Sequence, residues 1–181
     1  MYEFHSNLEL YFNMQFWTTR DFILPEVQKL RSIGPRSRVL ELGCAEAGVL
    51  KAFVDLGCTC VGLDLSPERI ATATKFQAEA VQSGQLRFIS KNVYDIDVDA
   101  DFGGKFDLIL LKDVIEHIPD QEKFIPILKN YLNDDGIIFF GFPPWYMPFG
   151  GHQQVCRSKI LSKLPWFHLL PKSIYRAILI R

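Results

Sequence analysis

At 181 residues the chain is long enough for one domain with a sizeable core. Its 48% apolar and 23% charged residues are ordinary for a globular protein, and a net charge of −1 gives no general pull towards nucleic acid or membrane. No apolar run approaches the ~18 residues of a membrane-spanning helix, and residues 1–5 lack the basic-then-apolar pattern of a signal peptide, so a cytoplasmic location is expected.

In chain order, residues 1–35 are rich in aromatics. Leu8, Tyr11, Phe12, Phe16 and Trp17 recur at helical spacing. Ile23, Val27 and Leu30 set a second helix, with Pro25 in its first turn and Gly34-Pro35 beyond its end. Residues 38–42 read as a buried strand, 47–56 as a helix closed by Gly57, and 59–64 as a second strand. Ser66-Pro67-Glu68 starts a helix with an N-cap serine, a proline at N1 and an acid that complements the dipole. That helix is predicted to run to about Gln82 and to stop at Ser83-Gly84. Residues 86–90 form strand three, with Asn92-Val93-Tyr94-Asp95 at its carboxyl end, and 97–104 read as a turn-rich acidic loop. Residues 106–111 are almost continuously apolar, as in a strand covered on both faces. A helix over 120–132 should be kinked or divided by Pro126. Residues 133–136 read as a turn and 137–142 as strand five. This alternation predicts an α/β fold, a Rossmann-like doubly wound and mostly parallel sheet.

The four cysteines, Cys44, Cys58, Cys60 and Cys156, form no CxxC pair and lack a suitably spaced histidine, so no metal site is expected of them. Cys58 and Cys60 alternate along strand two and should share one face of the sheet. The organising stretch is Val39-Leu40-Glu41-Leu42-Gly43-Cys44-Ala45-Glu46-Ala47-Gly48, a strand running into a tight turn that opens a helix. Asp64 follows Glu41 by 23 residues, at the end of the second strand. Strand, small-residue turn, helix, strand and acid make the nucleotide half of a βαβ unit. Gly43-x-Ala45-x-x-Gly48 nearly fits the dinucleotide fingerprint. Glu41 argues against it, because a carboxylate there would repel a pyrophosphate and suit a cationic ligand.

At these residues the chain resembles the class I S-adenosylmethionine-dependent methyltransferases. Their first motif is acid-x-Gly-x-Gly-x-Gly, and Glu41-Leu42-Gly43-Cys44-Ala45-Glu46-Ala47 follows it with alanine at two glycine positions. Asp113-Val114-Ile115-Glu116-His117 is similar to the Asp/Glu-x-x-Glu-His runs of small-molecule O-methyltransferases, quinone-biosynthesis members included. The resemblance covers about residues 36–155. It implies S-adenosylmethionine as cofactor, with Glu41 favouring the methionine ammonium and Gly43, Cys44 and Ala45 passing the methionine part. Asp64 would hold the ribose, with Leu65 beside it, and Asn92 and Val93 would meet the adenine. It also implies seven strands ending in an antiparallel hairpin, of which the sequence signals only five. Either the tail replaces the hairpin, or one sheet edge is left unpaired, to be covered by the tail or by a partner such as a second copy in a homodimer.

Catalytic candidates are Asp113, Glu116 and His117, just after strand four, and His152 in the loop after strand five. His117 could act as base, the three could hold a divalent cation, or Glu116 and His117 could simply brace the next loop. The run Pro143-Pro144-Trp145 differs from the Asn-Pro-Pro-Tyr motif of amino-group DNA methyltransferases in position and in lacking its leading amide, so nucleic-acid methylation is not expected. The expected organisation is a helical cover over 1–35, a cofactor-binding core over 36–155, and a basic apolar tail over 156–181. The tail reads as helical and packed on the domain, with a membrane-surface segment as the alternative. The expected function is methyl transfer to a small-molecule acceptor, O-methylation favoured. Alternatives are a catalytically inert binding module and an NAD(P)-dependent oxidoreductase.

Overall fold

The computed structural model describes residues 7–150, 158 and 160–174. His152 and Cys156 lie outside the described residues. Five strands, β1 (Arg38–Leu42), β2 (Thr59–Asp64), β3 (Leu86–Ser90), β4 (Phe106–Lys112) and β5 (Leu132–Gly141), pair in parallel in the order β3-β2-β1-β4-β5. The sheet is Rossmann-like, and the described residues supply fewer strands than the seven of the full fold. Among the described residues nothing pairs with the outer side of β5. The strand order reverses between β1 and β4, and ligands of such sheets bind beyond the carboxyl ends at that switch point.

Consecutive residues of the central strands are buried because helices cover both faces. Val39, Cys58, Cys60, Leu108 and Leu110 pack with Leu50 and Phe53 of α3 (Gly48–Asp55) on one face. Leu40, Leu42, Ile109 and Leu111 pack with Phe124 and Leu128 of α6 (Gln121–Asn130) on the other. Cys58 and Cys60 thus share a face as small apolar residues, and burial raises both thiols above their ordinary value.

The N-terminal helices α1 (Leu8–Thr18) and α2 (Leu24–Leu30) have no loop between them. A π-helical turn, Thr19–Ile23, joins them, closed by the Leu24 N–H donating to the Thr19 carbonyl. Thr19 is fully buried, and its hydroxyl donates to Gln15 O at 2.8 Å. Gly48 lets α1 lie against α3, since a Cβ there would collide with the Phe12 carbonyl oxygen.

Four local expectations are corrected. The helix expected from Pro67 to Gln82 divides into α4 (Pro67–Phe76) and α5 (Ala78–Gln82), because Gln77 leaves helical geometry with its side chain buried. Pro126 does not divide α6. The hydrogen bond it forgoes would reach the carbonyl of Glu122 in the exposed first turn, where water can serve, and Phe124 and Leu128 anchor the helix. The expected turn at 133–136 lies within β5. Leu132 pairs with Phe106 and Ile137 with Leu108, so four residues bulge opposite Asp107 alone. The acidic loop contains a π-helical turn, Val98–Phe102, whose Phe102 is buried edge-on to Phe106 and Tyr131.

The described residues fall into two compact units, one running to Gly141 and the other from Phe142 onward.

Candidate cofactor site

A cavity of about 520 Å³ opens at the carboxyl end of the sheet, within the unit that contains the sheet. That size suits a cofactor-sized molecule. The first-motif loop forms its floor. Gly43 (φ 69°), Ala45 (φ 47°) and Ala47 (φ 62°) are all in the left-handed region. The two alanines therefore keep the backbone that glycine would take, at a steric cost of about 1–2 kcal/mol each. Gly43 has a further reason to be glycine: a Cβ would come within 2.5 Å of Val114 Cγ2.

The loop's donors are largely consumed internally. The Gly43 and Cys44 N–H groups donate to Leu63 O at 2.8 and 3.1 Å, and the Ala47 N–H to Cys44 O at 2.6 Å. The Ala45 N–H donates to Asp64 Oδ2 at 2.9 Å, and the Ser66 N–H to Asp64 Oδ1 at 2.9 Å. Asp64 thus ties β2 to the loop while lining the cavity. A pyrophosphate cradle needs such N–H groups pointing at the ligand. Here four are occupied, and the carboxylates of Glu41, Glu46 and Asp64 line the same wall.

Glu41 stands at the centre of this arrangement. It is 3% exposed, and its carboxylate accepts from the Leu50 N–H, one of the orphan donors of the first turn of α3. Its Oε2 is enclosed and has no hydrogen-bond partner among the described residues. Burial raises the Glu41 carboxyl well above the ordinary carboxylate range. Lys112 and the Leu50 N–H pull it down, and the charge of Asp64 adds to the rise. A buried carboxylate on a residue that lines the cavity favours a cationic group in a ligand held there.

Of the other expected cofactor residues, Cys44, Leu65, Asn92 and Val93 all line the cavity with Gly43 and Ala45. Leu65 is exposed over the opening. Asn92 caps the single helical turn Val93–Asp95, its Oδ1 accepting from the Tyr94 N–H at 3.1 Å. Cys44 is buried, which raises its thiol well above 9.0. Tyr11 and Gln15 of α1 also reach the wall.

The residues after β4 do not come together as a cluster. Asp113 (φ 56°) lines the cavity, and its Oδ2 lies 2.5 Å from Lys112 Nζ. His117 lines the cavity at the end of the turn Ile115–His117. Glu116 is not part of the wall, and both its carboxylate oxygens are enclosed without a partner among the described residues. No group of three His, Cys, Asp or Glu side chains among the described residues could hold a metal ion. The divalent-cation reading of Asp113, Glu116 and His117 is corrected accordingly: the turn points them to different surroundings.

Sequence reasoning passed over three supports. Gln77 is buried and its Nε2 donates to Ala47 O at 2.7 Å, bracing the loop from behind. Tyr131 Oη donates to Val93 O at 2.8 Å, holding the loop after β3, and burial pushes the phenol up to about 12. Lys112, a lone charge ending an apolar strand, supplies the cation near Glu41.

Residues 16–150 match the family described as a methyltransferase domain. This chain belongs to the class I S-adenosylmethionine-dependent methyltransferases. The methyltransferase is 30% identical over 103 residues to the ubiquinone biosynthesis O-methyltransferase of Actinobacillus pleuropneumoniae, covering 57% of this chain and 44% of that protein. It is 32% identical over 102 residues to the same-named protein of Chelativorans sp., covering 56% and 38%. The chain thus spans under half the length of these curated relatives. Among solved structures, an S-adenosylmethionine-dependent methyltransferase from Clostridium acetobutylicum superposes with a TM-score of 0.57 at 21% identity, covering 69% of this chain and 49% of that one. Another from Thiobacillus denitrificans, in complex with S-adenosyl-L-homocysteine, gives 0.53 at 22% identity, covering 72% and 54%. These two likenesses bear on the fold. Membership of the family and the occupied loop donors remove the oxidoreductase alternative.

Proposed function

We propose that this methyltransferase transfers a methyl group from S-adenosylmethionine to a hydroxyl oxygen of a small-molecule acceptor. The observation that carries the reading is the buried carboxylate of Glu41, a residue that lines the cavity and whose Oε2 has no partner among the described residues. Its charge favours the cofactor's α-ammonium, a cation that no dinucleotide presents there. When bound, the cofactor supplies a methyl group on a positively charged sulfur, and its displacement mainly requires positioning and dehydration.

The chain's residues provide that positioning. Each Asp64 oxygen already accepts one backbone N–H and keeps a lone pair for a ribose hydroxyl. Leu65 and Val93 offer apolar surface to the adenine, and Asn92 Oδ1 keeps a lone pair for its amino group. His117, on the same wall, takes the proton that the acceptor hydroxyl loses. Asp113 and Lys112 set the charge around that step. The hydroxyl preference draws support from the two relatives, both named O-methyltransferases.

Calorimetric titration with S-adenosylhomocysteine tests the pocket. Micromolar binding is expected for the intact chain, weakened at least roughly tenfold in Asp64→Ala by loss of charge-assisted hydrogen bonds. No binding by the intact chain would overturn the proposal. A non-catalytic cofactor-binding module is the second reading, to which alanine at two glycine positions of the first motif points. Binding without methyl transfer to any of a panel of phenols and catechols would select it.

A further inference from the structure

The unit that follows β5 displays a surface unlike the rest of the chain. We infer that residues 142–150 and 160–174 form a docking platform for the surface of an anionic lipid bilayer. The two stretches are built onto each other. The Trp166 N–H donates to Pro148 O at 2.6 Å, and Trp166 Nε1 donates to Tyr146 O at 3.1 Å. His168 Nε2 lies 2.5 Å from Trp145 O, with the two rings edge to face at 4.9 Å. Phe167 and His168 are buried. These contacts fold the segment and satisfy polar atoms of its aromatic residues.

What remains outside is apolar. Ile160 and Tyr146 are 80% and 78% exposed, and Trp145, Trp166 and Ile174 are each about half exposed. Lys163 and Lys172 are exposed among them. Exposed large apolar groups at this density mark an interaction surface. Tryptophan and tyrosine suit the headgroup level of a bilayer, with an apolar ring and a polar edge.

Charge selects the occupant. Residues 136–181 hold six Lys or Arg and no acid, whereas residues 1–135 carry a net charge of −7. The whole-chain value of −1 therefore conceals a strongly basic unit. A second copy docking through the same face would bring the exposed Lys163 and Lys172 of each copy together. An anionic lipid surface attracts them while accepting the apolar side chains. No helix among the described residues is long and apolar enough to cross a membrane, so the contact is interfacial.

Flotation of the full chain with vesicles tests this, using phosphatidylcholine alone and phosphatidylcholine with phosphatidylglycerol, at low and high salt. The chain should float with the phosphatidylglycerol vesicles at low salt and be released by salt. Lys163→Glu with Lys172→Glu should weaken binding by about fivefold or more per lysine, at ~1 kcal/mol for each basic residue near the surface. Tyr146→Ser with Ile174→Ser should weaken binding to both vesicle types, with circular dichroism and thermal melting as controls for folding. Flotation that ignores phosphatidylglycerol, or survives both pairs of substitutions, would overturn the inference. So would failure to float by a chain whose sedimentation shows a dimer that the Tyr146→Ser, Ile174→Ser variant abolishes.

Discussion

Asp107, partly buried, and Glu41, buried, are carboxylates at opposite ends of one sheet, and their surroundings differ. Asp107 lies at the amino-terminal end of β4. Its Oδ1 accepts from Arg31 Nη2 at 2.7 Å and Asn133 Nδ2 at 3.0 Å, and its Oδ2 from the Arg38 N–H at 2.8 Å. One carboxylate thereby joins α2, β1 and the bulge of β5. Glu41 lies near the carboxyl end of β1, with the Leu50 N–H on its carboxylate and nothing on Oε2. The satisfied carboxylate marks the end of the sheet that holds the fold together. The incomplete one marks the end that waits for a ligand. An enclosed oxygen without a partner costs stability, a cost that a bound cationic group would offset at Glu41 beside the cavity.

The comparison breaks first at Asp107. Asp107→Ala removes the hydrogen bonds from Arg31, Asn133 and the Arg38 N–H and should destabilise the protein by about 2–3 kcal/mol, at ~1 kcal/mol for each. Urea denaturation measures this. Affinity of the folded variant for S-adenosylhomocysteine should stay within about twofold, because Asp107 stands outside the cavity wall. A collapse of affinity in folded protein would erase the distinction between the two ends.

Glu41→Gln should do the reverse. The folded protein holds the Glu41 proton more tightly than the unfolded chain, whose carboxyl has its ordinary value of 4.5. Stability carried by that proton is complete below the unfolded value and lost as pH rises through the folded one. At neutral pH the variant should therefore be more stable than the parent by about 1–3 kcal/mol, the usual penalty for an unsatisfied enclosed group. The advantage should shrink as pH falls towards 4.5, as thermal melts across that range would reveal. The same variant should bind S-adenosylhomocysteine roughly 10–100-fold more weakly, for loss of a charge-assisted hydrogen bond. Unchanged affinity would remove Glu41 from the cofactor site.

The smallest effect belongs to Ala47→Gly. Relief of the left-handed strain at φ 62° outweighs glycine's greater freedom in the unfolded chain, so a gain of about 0.5 kcal/mol is expected. Affinity should be equal or better, since the loop already has the glycine-like backbone. A loss of stability would mean that the alanine methyl packs usefully against the core it is buried in.

Much of the sheet was legible because local patterns and tertiary demands agree. The apolar runs of β1, β2 and β4 have one reading when both faces are covered, and Ser66-Pro67 caps α4 as its chemistry dictates, Ser66 Oγ accepting from the Arg69 N–H. The first motif and Asp64 announced the cofactor end for the same reason: small residues in a tight turn and an acid at a strand end are local requirements. Less legible were the features that depend on distant neighbours. Gln77 breaks a helix to reach Ala47 O, thirty residues earlier in the chain. The bulge in β5 exists because Asp107 holds Asn133 from across the strand pair.

The sequence by itself determined the strand and helix alternation, the motif loop, and the carboxylates Glu41 and Asp64 that line the cavity, since each follows from spacing and side-chain chemistry along a short stretch. Only the tertiary structure decided that the motif alanines stand in left-handed conformations and that Glu41 keeps an unpartnered oxygen. It alone separated Asp113, Glu116 and His117, and it alone exposed the aromatic face of the C-terminal unit. Those outcomes turn on packing and on which polar groups meet across the fold, quantities that no single stretch of chain contains.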